Sequence, residues 1–521
     1  MADWLIAQVG GRLGEYGGLI AGHLLQAGRQ EQACGYYLQA GEAALASYAN
    51  HEAEGYYRQA LELSQADDPK AACLKGLGDA LFAQGSRQEA VKIYRLGIDL
   101  YLKLDDSNAA ADLYHRLSAT LWYDDYQKAY EVCQDALRLF ESALDSPGKA
   151  RLLAEAGRTA YFQARPIDEV IALCERAIEM AERQDEERAR LGASITIALC
   201  MPDFEKSTHL MQEVAVFSEA NRLVRPALRA HTNLGVIYSY HYQNLELAIR
   251  HHLQAIDIAI NIGEIEMLFF ELDNLTTDLI KQGKLNTLKD QLAEILRRTT
   301  ASEAWGKEFL AKVSFRLLAP RGEWTQALEY SRHLLDELRK TGSYQNIANE
   351  NLNMASACLE LNRFTGITNI TEAEVALREN TKWHAGQSRF KLVVLLSRQR
   401  RLAEAREQLA EVIQELEQPI HKPFDVYRFQ AEAELARAES RWEDAVANCQ
   451  SLIDIYQTGG YRWLWARQLI DLGDSLVGRD LPGDRKLAKQ VYRQSLEMFT
   501  EMEATGYIKV LEERLGGNST C

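Results

Sequence analysis

The sequence is short of the residues that interrupt or staple a chain. Only 9 of its 521 residues are proline. Proline is what kinks or ends a helix from within, so long helices with short connections are permitted almost throughout. The 8 cysteines, at positions 34, 73, 133, 174, 200, 358, 449 and 521, include no C-x-x-C pair. Most fall on apolar helix faces, which indicates a reduced thiol set and neither a disulfide framework nor a zinc site. No apolar run reaches 18 residues, and the N-terminus has no basic region followed by an apolar core. Membrane spanning and secretion are therefore both disfavoured, and a cytoplasmic chain with no membrane partner is expected. Positive charge is short as well: 59 Lys and Arg against 75 Asp and Glu leave a formal −16. That balance repels a phosphate backbone, so nucleic acid is not an expected partner.

What is present is apolar residue at helical spacing, 47% of the chain. At this length a single core stops growing, so the alternatives are several globular domains or a solenoid that adds core repeat by repeat. The stretch Leu74 to Leu104 decides between them. It reads as two amphipathic helices joined by a tight turn, with Leu74, Leu77, Gly78 and Leu81 on the first and Ala90, Tyr94 and Gly97 on the second. These spacings match the tetratricopeptide (TPR) motif of about 34 residues, in which small residues sit where the paired helices cross. The same register recurs at Ala156, Gly157 and Ala160 with Val170, Cys174 and Ala177. It returns at Leu234, Gly235 and Tyr238 with Ala248, His252 and Ala255, and at Leu472 and Gly473 with Ala488 and Tyr492. Weaker units carry Leu275 and Leu279 with Leu288 and Leu292, and Met354, Ala355 and Cys358 with Ile367. The expected fold is all-α, a right-handed TPR-like α-solenoid of antiparallel helix pairs, with its 33 glycines placed largely at helix-helix turns.

The chain divides on this reading into a lead-in segment 1–16, an N-terminal array 17–184, an irregular repeat or bend 185–222, a C-terminal array with a capping helix 223–515 and a disordered tail 516–521. The irregular stretch is marked by Pro202, and by Ser207, Met211 and Val214 where the other repeats alternate small and aromatic residues.

No machinery for catalysis is visible. There is no G-x-x-x-x-G-K-[ST] phosphate loop, no G-x-G-x-x-G after a strand pattern and no G-x-S-x-G elbow. Gln32-Ala33-Cys34-Gly35 approaches a caspase nucleophile signature, but Tyr36 stands where Gly is needed, and Ala33 occupies a crossing position of a repeat helix. His231, His241, His251 and His252 cluster in sequence, yet no Glu completes an H-E-x-x-H frame, and His252 fills the aromatic slot of its repeat. No enzyme activity, cofactor or metal site is expected.

The segments WLIAQVGGRLGEYGGLIAGHLLQAG and YYLQAGEAALASYANHEAEGYYRQALEL, with the Leu74 unit, resemble the TPR arm that follows the ATPase module in bacterial signal-transduction ATPases of the STAND class and in ATPase-linked adenylate or guanylate cyclases. The resemblance implies a sensor that binds an effector or partner and controls a nucleotide module. This chain contains neither that module nor a cyclase, which leaves a free-standing arm, a subunit acting in trans or a fragment.

In such a superhelix the first helix of each pair builds the concave wall. The stripe away from its buried leucines carries Asn233, Asn274 and Asn353, with Arg229, Asn349 and Ser356 one turn away. Asparagine donates and accepts at once, which suits an extended peptide backbone. Polar helix faces also arise simply from solvation, and the stripe is open to that reading. Trp463 and Trp465, at a helix start, would suit a partner anchor if exposed and core packing if not. The expected function is a non-enzymatic scaffold binding a protein or peptide in its concave groove and regulating a signalling partner. The alternative is a small-ligand sensor arm that works through a change of superhelix curvature. Oligomeric state is not readable.

Overall fold

A computed structural model describes residues 1–9, 13–240, 242–299, 303–341, 344–365, 371–380, 385–416 and 425–516. Within them the chain forms helices and no strand. In order these are α1 (Ala2–Val9), α2 (Leu13–Gln26), α3 (Gln30–Ala46), α4 (Asn50–Leu63), α5 (Asp67–Ala83), α6 (Arg87–Lys103), α7 (Ser107–Leu121), α8 (Tyr126–Leu139), α9 (Pro147–Phe162), α10 (Ile167–Arg183), α11 (Glu187–Cys200), α12 (Phe204–Ala220), α13 (Val224–Tyr240) and α14 (Leu245–Ile262). There follow α15 (Ile265–Lys281), α16 (Leu285–Thr299), α17 (Glu303–Leu318), α18 (Trp324–Thr341), α19 (Tyr344–Thr365), α20 (Thr371–Glu379), α21 (Ala385–Arg398), α22 (Leu402–Leu416), α23 (Asp425–Ala438), α24 (Trp442–Thr458), α25 (Arg462–Arg479), α26 (Asp484–Glu501) and α27 (Thr505–Gly516). No described helix is long and apolar enough to cross a membrane. The fold is a TPR-like α-solenoid.

The pairs are locked by small residues at the crossings. A methyl group on Gly41, Gly78, Gly235 or Gly473 would lie closer than 3.0 Å to the ring of Tyr57, Tyr94, His252 or Tyr492 on the next helix. On Gly157 it would meet the Cys174 sulfur in the same way. Ser118 takes this place in α7: its hydroxyl donates to the Ala129 carbonyl (3.0 Å) and accepts from the Cys133 thiol (3.1 Å). Glycine thus serves helix contact more than turns, contrary to the expected placement. Among the described residues only seven glycines have positive φ, whereas ten other residues do, including Tyr48, Asp105, Ala164 and Ser440. A left-handed residue ends a helix whatever its side chain if the tertiary fold holds it there. A crossing under 3 Å takes a side chain only if its neighbour shifts.

The chain separates into two compact units, Met1–Ile237 with Arg250–Leu272, and Tyr238–Ile249 with Asp273–Cys521. The stretch 185–222 is the helix pair α11 and α12, anchored by the Ser207 hydroxyl on the Ala198 carbonyl (2.7 Å). His241, Ile367 and the tail 517–521 lie outside the described residues.

Each unit closes on itself. In the first, the Asn50 amide on α4 donates to the carbonyl of Ile262 at the end of α14 (3.3 Å), and buried Arg87 on α6 pairs with both Asp124 (3.0 Å) and Glu266 on α15. In the second, the indole of Trp463 on α25 donates to the Pro320 carbonyl before α18 (2.9 Å), and Tyr507 on α27 donates to Glu360 on α19 (3.1 Å). Repeats far apart in sequence therefore face each other across the interior of each unit.

Candidate binding surface

The odd-numbered helices α5 to α13 of the first unit face this interior, and their exposed stripes carry paired charges. Asp79 on α5 accepts from Arg116 on α7 (2.5 Å). Asp112 on α7 is held by Arg116 (3.1 Å), by Arg151 on α9 (2.5 Å) and by Lys75 on α5 (3.2 Å). Arg151 also reaches Glu186 (2.6 Å). Glu155 takes both prongs of Arg158 one turn along α9 (2.8 and 2.5 Å). Burial alone would raise these carboxyls; the guanidinium and ammonium groups around Asp112, and Arg158 beside Glu155, hold both below the usual carboxylate range instead. His115 lies near both carboxylates, whose charges favour its protonated form less strongly than burial opposes it. Burial pushes its imidazole down to about 4, and its Nδ1 is buried without a hydrogen bond. The wall mixes both signs and is not acidic.

Helix α13 departs from this pairing. Arg225 lies over the Phe82 ring (5.7 Å to the centroid) and meets Glu264 only at 3.6 Å, with its side chain 56% exposed. One turn on, the Arg229 guanidinium reaches back toward α11, where a methyl group on Gly192 would come within 3.3 Å of it. Among the described residues it has no ion-pair or hydrogen-bond partner. Burial, with Arg158 close by, pushes it down to about 10 even though Glu155 works in the other direction.

An aromatic cluster occupies the interior of the second unit. Tyr507 is fully buried and stacks on Phe499 (4.5 Å), with the edges of Trp324 (5.2 Å) and Trp463 (5.7 Å) against it. Phe364 lies under the guanidinium groups of Arg467 (4.9 Å), Arg514 (5.4 Å) and Arg363 (5.8 Å). Around this plug Arg363 joins Glu434 (3.1 Å), Asp471 (2.7 Å) and Asp474 (3.0 Å), and Arg467 joins Glu360 (2.6 Å). Arginines outweigh the cost of burial at Glu434 and hold its carboxyl well below its ordinary range.

The residues singled out from sequence fall into three environments. Arg229 and Asn233 share α13, and the Asn233 amide donates to the Arg229 carbonyl (2.7 Å), so that it is partly spent on its own helix. In the second unit Asn274 is half-buried, with its amide nitrogen sealed off and unpartnered. Asn349 is half-buried on α19. Further along it, Asn353 approaches Glu350 (3.4 Å), and the Ser356 hydroxyl donates to the Leu352 carbonyl (2.6 Å). Trp463 and Trp465 are both half-buried against the core of that unit, Trp463 within the aromatic plug. The Cys34 thiol is buried and donates to the Ala60 carbonyl (3.3 Å). His252 fills its slot beneath Gly235 and bonds to Glu271 (2.7 Å), both almost wholly buried. His231 and His251 meet through their Nδ1 atoms (3.0 Å), with Glu219 on the far nitrogen of His231 (2.9 Å).

The interior ion pairs between helices were not reached by sequence reasoning because their partners stand far apart along the chain, 37 residues for Asp79 with Arg116 and 111 for Arg363 with Asp474. A signal did exist. Leu-Gly-Asp occurs at 77–79 and again at 472–474. In both places the crossing tyrosine donates to that aspartate, Tyr94 to Asp79 (2.8 Å) and Tyr492 to Asp474 (2.7 Å).

No known family model matches the chain, and neither does the sequence of any curated protein. Solved structures similar to it include a Rap protein complexed with Competence and Sporulation Factor (12% identity, 65% of this chain and 96% of that one, TM-score 0.39). Others are the APC/C hetero-tetramer Cut9–Hcn1 (13%, 92% and 93%, 0.37) and yeast Tom70 (14%, 82% and 96%, 0.42). These likenesses are too distant to carry a residue or a ligand across.

Proposed function

We propose that the chain is a non-enzymatic scaffold that binds a protein or peptide on the inner wall of its first unit and thereby regulates a signalling partner. The observation that carries this reading is the wall itself. Charged side chains on α5, α7 and α9 are fixed in place by one another, as at Asp112 with its three cations, while Arg225 on α13 is 56% exposed. Polar groups already held in position lose little freedom when a ligand arrives, which is the condition for binding an extended segment well.

Site-directed photocrosslinking tests this. A benzoylphenylalanine placed at Arg225 should trap a partner from the source cell's lysate, whereas the same group at exposed Leu139 or Val216, on second helices of their pairs, should not. Trapping of the same partner from the outer positions at equal yield would remove the inner wall from the mechanism. The regulatory part is read by assaying that partner's activity with and without the chain; no change in activity would leave a scaffold that holds without regulating.

A further inference from the structure

We propose that the side-chain amine of Lys391, on α21 of the second unit, combines with carbon dioxide and is held as a carbamate. The proposal is independent of the scaffold reading, which concerns the first unit. Among the described residues the Lys391 nitrogen has no hydrogen bond and no ion pair, although its side chain is half-buried. The charges that act on it are Glu360 on α19 and Arg398 two turns along its own helix, and both are already engaged. The two oxygens of Glu360 accept from Arg467 (2.6 and 2.9 Å), and one of them also from Tyr507 (3.1 Å). Arg398 donates to Glu434 (3.2 Å) and to the Leu359 carbonyl. Burial, with Arg398 acting in the same direction and Glu360 against it, pushes the amine down to about 8. Only the neutral amine is a nucleophile. At pH 8 about half of it is in that form, against less than about 1% for an ordinary lysine.

The charge balance around Lys391 selects the electrophile. In the ion network to which Glu360 and Arg398 belong, five arginines among the described residues share the four carboxylates of Glu360, Glu434, Asp471 and Asp474. One positive charge is left in surplus. A protonated Lys391 adds to that surplus, whereas an anion at the end of its side chain cancels it. An aldehyde would give a neutral imine or a cationic iminium and leave the surplus standing. Carbon dioxide gives the anion. The nitrogen lone pair forms a bond to its carbon, one carbon–oxygen π pair moves onto oxygen, and the nitrogen releases one proton to water, so that the amine and carbon dioxide become R–NH–COO⁻ and H⁺. Nothing is oxidised or reduced. The carbamate has the planar pair of oxygens that a guanidinium binds with parallel hydrogen bonds, and Arg398 is its partner.

The test equilibrates the full-length chain with carbon-13 bicarbonate at pH 8 and traps any carbamate as its ethyl ester with triethyloxonium tetrafluoroborate. Tryptic peptides are then read by mass spectrometry. Lys391 should carry the labelled group at least about tenfold more often than Lys486, an exposed lysine on α26. The label should vanish from chain unfolded in urea beforehand, and should grow from pH 7 to pH 8 at constant dissolved carbon dioxide. The wild type should also melt higher in bicarbonate than in chloride at matched pH and ionic strength, a difference that Lys391→Met, having no amine, should lack. Equal labelling of Lys391 and Lys486, or labelling of Lys391 that persists in the unfolded chain, would overturn the proposal. So would a bicarbonate effect on melting that Lys391→Met retains. If that variant does not fold, the mapped wild-type peptides decide alone.

Discussion

The crossing of α9 over α10 offers a sharp test of the packing argument, because one atom stands in the way. A methyl group on Gly157 would lie closer than 3.0 Å to the Cys174 sulfur, while the next atoms, the Cys174 backbone nitrogen and Leu173 Cβ, are at 3.6 and 3.7 Å. Gly157→Ala should therefore cost about 1–3 kcal/mol in overpacking, offset by the roughly 0.5–1 kcal/mol that alanine gains over glycine within a helix. The net is a loss of about 1–2 kcal/mol. Cys174→Ala alone removes a fully buried sulfur and should cost about 1 kcal/mol, on the scale of one buried methylene. Combined, the two changes exchange places: the new methyl occupies the space that the sulfur leaves, and the double variant should return to near wild-type stability. Urea denaturation followed by circular dichroism reads all four proteins, and the cycle should give a favourable coupling of about 1–3 kcal/mol. If Gly157→Ala is as stable as the wild type or more so, or if the two costs simply add, the helices do not cross at this glycine.

Gly235→Leu should lower the melting midpoint by more than Gly157→Ala does. The His252 ring beneath it cannot move away without leaving Glu271 buried and unpaired, a loss of about 3–5 kcal/mol, and a unit of this size shifts by about 2–4 °C per kcal/mol. Native stability should fall as pH drops from 6.5 toward 5. His115 is held neutral down to about 4 in the fold, so over that window the unfolded chain takes up the proton first; the effect is up to about 2 kcal/mol, and His115→Phe should flatten the dependence measured by urea titration. The thiols of Cys73, Cys133 and Cys174, pushed up to about 12 by burial, should stay unreactive toward Ellman's reagent at pH 8 until urea unfolds the chain. Rapid reaction of the folded protein in a Cys521→Ser background would contradict their packing.

The solenoid could be read from the sequence because its determinants are local. A glycine at 78, 157, 235 or 473 and its partner at 94, 174, 252 or 492 are 16 to 19 residues apart along the chain, within one helix pair, and each is large or small for a steric reason that residue type alone reveals. The placement of glycine overall was not legible in the same way. Whether a turn needs glycine depends on whether the surrounding fold holds another residue in the left-handed region, as it does at Tyr48 and Ala164. Closure of each unit was also hidden, since Asn50 with Ile262 and Trp463 with Pro320 are joined by superhelical geometry summed over several repeats, and a small change in each repeat would separate them.

Two asparagines of the stripe are engaged within their own helices. Asn353 is turned toward Glu350, and Asn233 is bonded to its own helix. Acids and bases also share the odd-numbered helices, some paired along one helix, as Glu155 is with Arg158, and others with a residue one repeat away, as Asp112 is with Arg151. Removing one partner of such a pair leaves an uncompensated charge, which where it is buried costs about 3–5 kcal/mol.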